Sequence, residues 1–188
     1  MTLTKKEKQD KFNTLWKENK FTELREHLFE WLKEKPEGDW NNHWQLAQIA
    51  ETFYLQKHFD QALEYAEKAW KLAPHCPMTI WEYSECLNRT GRYLEAEPLY
   101  RNIIRRGVNR VAFGECGEGI RAARTLVNDC RYGLSLDLAD RGEFKLAVKY
   151  LKQHIANRNQ NCKSLFRLRE VKKDLADVQQ GVKPSFHD

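Results

Sequence analysis

The segment Leu46-Ala-Gln-Ile-Ala-Glu-Thr-Phe53 carries a repeated pattern, which recurs 34 residues later as Ile80-Trp-Glu-Tyr-Ser-Glu-Cys-Leu87. In both stretches, large apolar side chains are spaced by three and four residues, and a small residue follows the second of them. This spacing places side chains on one face of an α-helix. The pattern therefore predicts two equivalent amphipathic helices.

The correspondence continues into a second helix in each unit. The 34-residue offset relates four more pairs, which are Phe59 with Tyr93, Ala62 with Ala96, Ala66 with Tyr100, and Ala69 with Ile103. Gly91 stands where a first helix must end, and glycine is preferred just past a helix C-terminus. Pro74 follows the end of a second helix, as is typical of proline. We therefore predict two successive helix–turn–helix units, at residues 43–76 and 77–110.

This pattern resembles the tetratricopeptide repeat (TPR) family, whose unit is a helix–turn–helix of about 34 residues. Ala50 and Ser84 occupy the small position at which helices approach, whereas Leu46 and Ile80 replace the tryptophan that is frequent at the first position. The resemblance implies an all-α, right-handed superhelical solenoid of about four repeats, with the first helix of each unit on the inner surface. It also implies a protein that holds a segment of a partner protein in its concave groove.

The template extends less regularly on both sides of these two units. Residues 5–38 fit it at an upstream offset of 38 residues, and residues 128–161 fit it at a downstream offset of 51, after an insertion at 111–127. The apolar residues of 162–180 recur at three- and four-residue steps, which predicts a final helix that covers the edge of the last repeat. We interpret the whole chain, residues 1–188, as a single domain.

Residues beside the buried stripe of the predicted first helices are the candidates for the groove. Tryptophan and tyrosine are prominent among them, and these residues anchor protein interfaces. The acidic members favour a positively charged ligand, so we expect an extended segment with apolar side chains and a Lys or Arg. In the alternative reading, the tryptophans fill space between helices and the acids are solvated. The candidates are Asn13, Trp16, Trp44, Glu51, Tyr54, Met78, Trp81, Glu85, Asn88, Arg89, Asp129 and Tyr132.

A carboxylate clamp is a second kind of ligand site in the TPR family, and the sequence does not predict one here. Many co-chaperone members grip a C-terminal carboxylate with Lys, Asn and Arg from their inner helices. The corresponding positions here are Gln9, Asn13, Gln48, Met78 and Glu82. Because only the asparagine is retained, we predict no carboxylate clamp.

The insertion supplies an alternative hypothesis, that of a small-anion or nucleotide sensor. It contains three glycines in Gly114-Glu-Cys-Gly-Glu-Gly119, with Arg121 and Arg124 after them. Glycines before a helix expose amide groups to an anion. The acids Glu115 and Glu118 repel phosphate, however, so a turn that begins a longer helix is the other interpretation. A further alternative is homo-oligomer assembly through the aromatic face.

The composition of the 188 residues argues against several other classes of protein. Hydrophobic residues make up 41% and charged residues 31%, which favours a folded chain over a disordered one. The net charge is only +5 and no segment is a basic tract, so we predict no nucleic-acid partner. No apolar run is long enough to span a membrane.

Cysteines and catalytic residue types complete the sequence-based predictions. The five cysteines are odd in number, include no Cys-x-x-Cys pair and follow no secretory signal. This usage predicts a cytoplasmic location and no metal site. No histidine or nucleophile stands in a known catalytic motif, so we predict neither an enzyme nor a cofactor. The oligomeric state is left open.

Overall fold

In a computed structural model, the part of the chain that is described forms nine α-helices and no strand, which confirms the predicted all-α class. The structure describes residues 3–34, 36, 39–117, 119–158 and 162–184. The helices are α1 (Lys5–Lys17), α2 (Phe21–Leu32), α3 (His43–Leu55), α4 (Phe59–Leu72), α5 (Pro77–Arg89), α6 (Tyr93–Phe113), α7 (Gly119–Asp140), α8 (Phe144–Arg158) and α9 (Leu168–Gln179). A short 3₁₀ helix, Trp40–Asn42, precedes α3. Within these described ranges, no helix is long and apolar enough to cross a bilayer.

The helices form two compact units that divide between Cys86 and Leu87, within α5. In the first unit, α1 packs on α2, α2 on α3, and α3 on α4. Its core is built around Phe12, Leu28 and Ile49, with tryptophan and phenylalanine side chains packed against them. In the second unit, α7 packs against both α6 and α8, and α8 packs against α9.

The first helix of each predicted repeat ends in the same way, with one residue in the left-handed conformation. These residues are Asn19, Lys57, Gly91 and Gly142. At each of them, the following amide donates to the carbonyl five residues earlier, as Arg92 does to Leu87 at 2.8 Å. This hydrogen bond is the Schellman cap, which glycine accommodates without steric cost. The four positions are separated by 38, 34 and 51 residues, so the structure repeats at the offsets read from the sequence.

Three alanines at equivalent positions of the repeat, separated by 34 and 51 residues, are fully buried. Ala62, Ala96 and Ala147 have no exposed surface. A small side chain at a crossing lets two helices approach closely, and a larger one there overpacks the core. The three alanines are therefore equivalent buried positions in three successive repeats.

The predicted insertion at 111–127 is mostly helical. Helix α6 continues to Phe113, with a break in the helical backbone at Gly107, where φ is 68° and ψ is 173°. Helix α7 already begins at Gly119, and residues 114–117 form a bend and a turn after α6. This geometry matches the interpretation in which the glycines form a turn before a longer helix.

Gly133 on α7 permits a close contact with Tyr100 of α6, and we expect its replacement by alanine to be destabilising. A β-carbon added there would lie 2.7 Å from Cζ of Tyr100, whose side chain is fully buried. Overpacking of this kind costs about 1–3 kcal/mol, and it should exceed the gain of about 1 kcal/mol from alanine's higher helix propensity. Urea denaturation of Gly133→Ala will measure the loss.

The same experiment on a double variant tests the cause. When Tyr100→Leu removes the ring that the new methyl group meets, Gly133→Ala should cost less than it does in the natural chain. Additive effects of the two substitutions would show that the ring is not the source of the loss.

Candidate functional site

One face of α3 and one face of α5 meet in the first unit. The face of α3 comprises Trp44, Gln48, Glu51 and Tyr54, which recur every three or four residues. The face of α5 comprises Met78, Glu82 and Glu85, at the same spacing. Gln48 Nε2 lies 3.9 Å from Met78 Sδ, which joins the two faces. Several predicted groove residues of this unit are therefore neighbours.

Three glutamates lie together where these faces meet, and we call Glu51, Glu82 and Glu85 the acidic cluster. Glu82 is only 8% exposed, and Glu51 accepts a hydrogen bond from Gln48 Nε2 at 3.3 Å. Burial raises the pKa of Glu51 from its ordinary 4.5 to about 7, against the opposing effect of Gln48. Burial, followed by the nearby charges of Glu51 and Glu85, raises the pKa of Glu82 well above 4.5.

Two members of the acidic cluster, Glu51 and Glu82, have no cationic partner among the described residues of the first unit. Desolvated carboxylates without a counter-ion are unfavourable in the charged form, which is the physical cause of the raised pKa values. An arriving ammonium or guanidinium group would stabilise that form.

The predicted groove aromatics of α1 and α3 are braced by the core and only partly exposed. Trp44 lies 5.0 Å from Phe12 and 5.8 Å from Trp31 between ring centroids, and Trp16 stacks on Phe12 at 5.8 Å. Tyr54 is half-buried as well. These half-buried rings fill space beside the core, and their contact with a ligand stays a prediction. Asn13 is exposed on α1.

The expectation that Trp81 and Asn88 line an open groove is wrong. Trp81 is 7% exposed and Asn88 is 4% exposed, because nearly every phase of α5 from Thr79 onwards is buried. The amide of Asn88 donates a hydrogen bond to the carboxylate of Asp137. Arg89 on the last turn is half-buried.

The expectation of open groove residues is also wrong for Asp129 and Tyr132 on α7. They are 0% and 3% exposed because the C-terminal segment covers them. The amide of Leu165 donates to Asp129 Oδ2 at 2.8 Å, and the ring of Phe166 lies 4.3 Å from that of Tyr132. These two residues belong to an interior contact, not to free surface.

Glu82 is a functional candidate that the sequence pattern did not single out. In the sequence, Glu82 occupies one of the five positions that correspond to the carboxylate clamp, and it is one of the four residues that differ from the clamp residues. A stronger indication was available, because the 34-residue offset relates Gln48 to Glu82 and Glu51 to Glu85. The repeat thus places two acid-bearing pairs in equivalent positions on α3 and α5.

The side chains proposed for anion binding are on the surface. Arg121 and Arg124 are both exposed on the first turns of α7. An anion site built by these arginines stays a prediction, without the buried polar groups that distinguish the acidic cluster.

Comparison with known proteins relates the chain to others through its fold. No protein-family model matches the sequence, and no curated protein matches it. A solved structure entitled "MamA RS-1 ArsTM double mutant" is similar at a TM-score of 0.62 and 14% sequence identity, over 93% of this chain and 89% of that one. At this level of identity the likeness is one of fold alone. The chain therefore has a TPR-like fold built of helix–turn–helix repeats.

Proposed function

We propose that the protein is a non-enzymatic helical-repeat scaffold, which binds a positively charged segment of a partner protein at the acidic cluster of its first unit. The similarity of fold to a TPR-like protein supports the general class of interaction scaffold. The observation that carries the more specific proposal is the burial of Glu82 beside Glu51 and Glu85.

The physical argument rests on the free energy of desolvation. A carboxylate that loses water without gaining a cation lowers the stability of the folded state, and packing requires no such group at a helix surface. Perturbed titratable groups of this kind concentrate at functional sites. A Lys or Arg from a partner would pair with Glu82 and Glu51 and turn their unfavourable burial into binding free energy.

The surroundings of the acidic cluster define the rest of the ligand. Met78 and the exposed edges of Trp44 and Tyr54 offer apolar contacts on the same two helix faces. Methionine adapts to differently shaped side chains, and aromatic edges anchor partners. The ligand that fits is an extended segment in which a basic residue is flanked by apolar ones, as the sequence predicts.

A peptide selection tests this proposal before any partner has been identified. Displayed random peptides of about twelve residues are selected against the natural protein and then sequenced. We expect Lys and Arg to be enriched and flanked by apolar residues. Selected peptides should lose at least about tenfold in affinity with Glu82→Gln, since breaking a buried charge pair costs about 2 kcal/mol or more.

A matched variant separates a specific site from general attraction. Glu64 lies on α4, is exposed and pairs with Lys68 at 2.6 Å. Glu64→Gln removes the same charge as Glu82→Gln, yet should leave the affinity of the selected peptides unchanged. Equal losses in both variants, or selection of peptides without basic residues, would contradict the proposal.

A further inference from the structure

The segment that joins α8 to α9 is held on the second unit through its main chain. Residues 162–167 lack regular secondary structure. The amide of Leu165 donates to the carboxylate of Asp129 at 2.8 Å, and Arg158 Nη1 donates to the carbonyl of Phe166 at 2.6 Å. One amide and one carbonyl of a bent, non-helical segment are thus held by a buried acid and a basic side chain.

The ring of Phe166 supplies the aromatic part of this contact. It packs on Tyr132, with 4.3 Å between the centroids, and the Tyr132 hydroxyl donates to Asp174 of α9 at 2.6 Å. Leu165 is 72% exposed, and the side chain of Arg167 is 86% exposed. The contact therefore selects an aromatic residue and leaves the residues on either side of it free to differ.

This segment has the chemistry that the sequence predicts for a ligand. It combines apolar residues, Leu165 and Phe166, with the basic residues Lys163 and Arg167. It also lies on Asp129, which the sequence predicts to contact such a ligand. Burial raises the pKa of Asp129 to about 6, although the Ser164 hydroxyl and the Leu165 amide favour its charged form.

We propose that the surface formed by Asp129, Tyr132 and Arg158 is a second interaction site, specific for a non-helical segment with an aromatic side chain, which residues 164–166 occupy in cis. A partner segment of the same chemistry binds there by displacing them. This site lies in the second unit and does not depend on the acidic cluster of the first.

Because residues 164–166 already occupy the proposed site, a partner segment has to compete with them for binding. A tethered segment competes at an effective concentration of about 1 mM, so that a free peptide of equal intrinsic affinity binds only weakly. Weakening the tethered segment should therefore expose the site. Phe166 is the residue to change, because its ring makes the aromatic contact with Tyr132.

The experiment uses a fluorescent synthetic peptide with the sequence of residues 162–180, in which Cys162→Ser prevents oxidation. We expect the full-length Phe166→Ala protein to bind this peptide at least about tenfold more tightly than the natural protein does. A second peptide carrying Phe166→Ala should not bind. The matched protein variant is Leu165→Ala, which changes an exposed side chain and should behave as the natural protein.

Hydrogen exchange of the natural protein provides a second measurement that needs no variant. The amides of Leu165 and of α9 should exchange through a local opening, faster than those of α7 and α8. Exchange of α9 only by global unfolding would overturn the proposal. So would a Phe166→Ala protein that unfolds, or one that folds and fails to bind the peptide, since the segment would then be an integral part of the core.

Discussion

Replacement of Trp81 by alanine should lower the free energy of unfolding by about 3–5 kcal/mol, as expected for truncation of a buried aromatic side chain. Trp81 is 7% exposed, and its neighbours Ile80 and Tyr83 are buried as well. The substitution leaves a cavity that the surrounding helices cannot fill completely. Urea denaturation monitored by circular dichroism will give the loss directly.

Trp40 is the matched control, because it is also a tryptophan but is 43% exposed. Trp40→Ala should cost less than about 1 kcal/mol, as surface substitutions usually do. A loss of similar size in both variants would contradict the burial of Trp81. If the Trp81→Ala protein keeps its stability but no longer binds the selected peptides, Trp81 contacts the ligand and is not a core residue.

Replacement of Glu51 by glutamine should stabilise the protein, and more strongly as the pH rises. The pKa of Glu51 is about 7 in the folded chain and 4.5 in the unfolded one. Between these values the folded state binds more protons than the unfolded state, so the stability of the natural protein falls as the pH rises through this range. Each pKa unit corresponds to about 1.4 kcal/mol, so Glu51→Gln should gain about 1 kcal/mol near pH 5.5 and about 3 kcal/mol near pH 8.

Glu64→Gln serves again as the control, because Glu64 is exposed on α4. Its effect should stay within about 0.5 kcal/mol at both pH values, as is typical of an exposed ion pair. A gain in Glu51→Gln that does not change with pH would show that ionisation is not its cause. According to the proposed function, the stabilised Glu51→Gln protein should also bind basic peptides less well, which is a common relation between stability and function.

The repeating architecture could be predicted because it depends on short-range patterns. Spacings of three and four residues fix which helix face is buried, and the left-handed residue after each first helix follows from local hydrogen bonds. The positions of Gly91 and Gly142 therefore follow from the sequence alone. The buried small residues of the repeat, such as Ala96, could be predicted as well, because side-chain size is read directly from the sequence.

The accessibility of the site residues could not be predicted, because it depends on contacts between residues that are far apart in the chain. Helical phase placed Asp129 and Tyr132 on the inner side, but the segment that covers them follows more than thirty residues later. The periodicity of the sequence likewise shows that Glu82 is polar, but it does not show that Glu82 is buried away from water. Burial of a polar residue becomes visible only when its neighbours in space are known.

Anchoring through the main chain bears on how the C-terminal segment can evolve. The amide of residue 165 and the carbonyl of residue 166 are present in almost any sequence, so the grip of Asp129 and Arg158 survives nearly every mutation of the segment. Selection for this contact therefore acts mainly on the aromatic ring at Phe166 and the hydroxyl of Ser164. Substitutions at Lys163, Leu165 and Arg167 should leave these contacts intact. These three positions can therefore vary or acquire new roles while the segment stays bound.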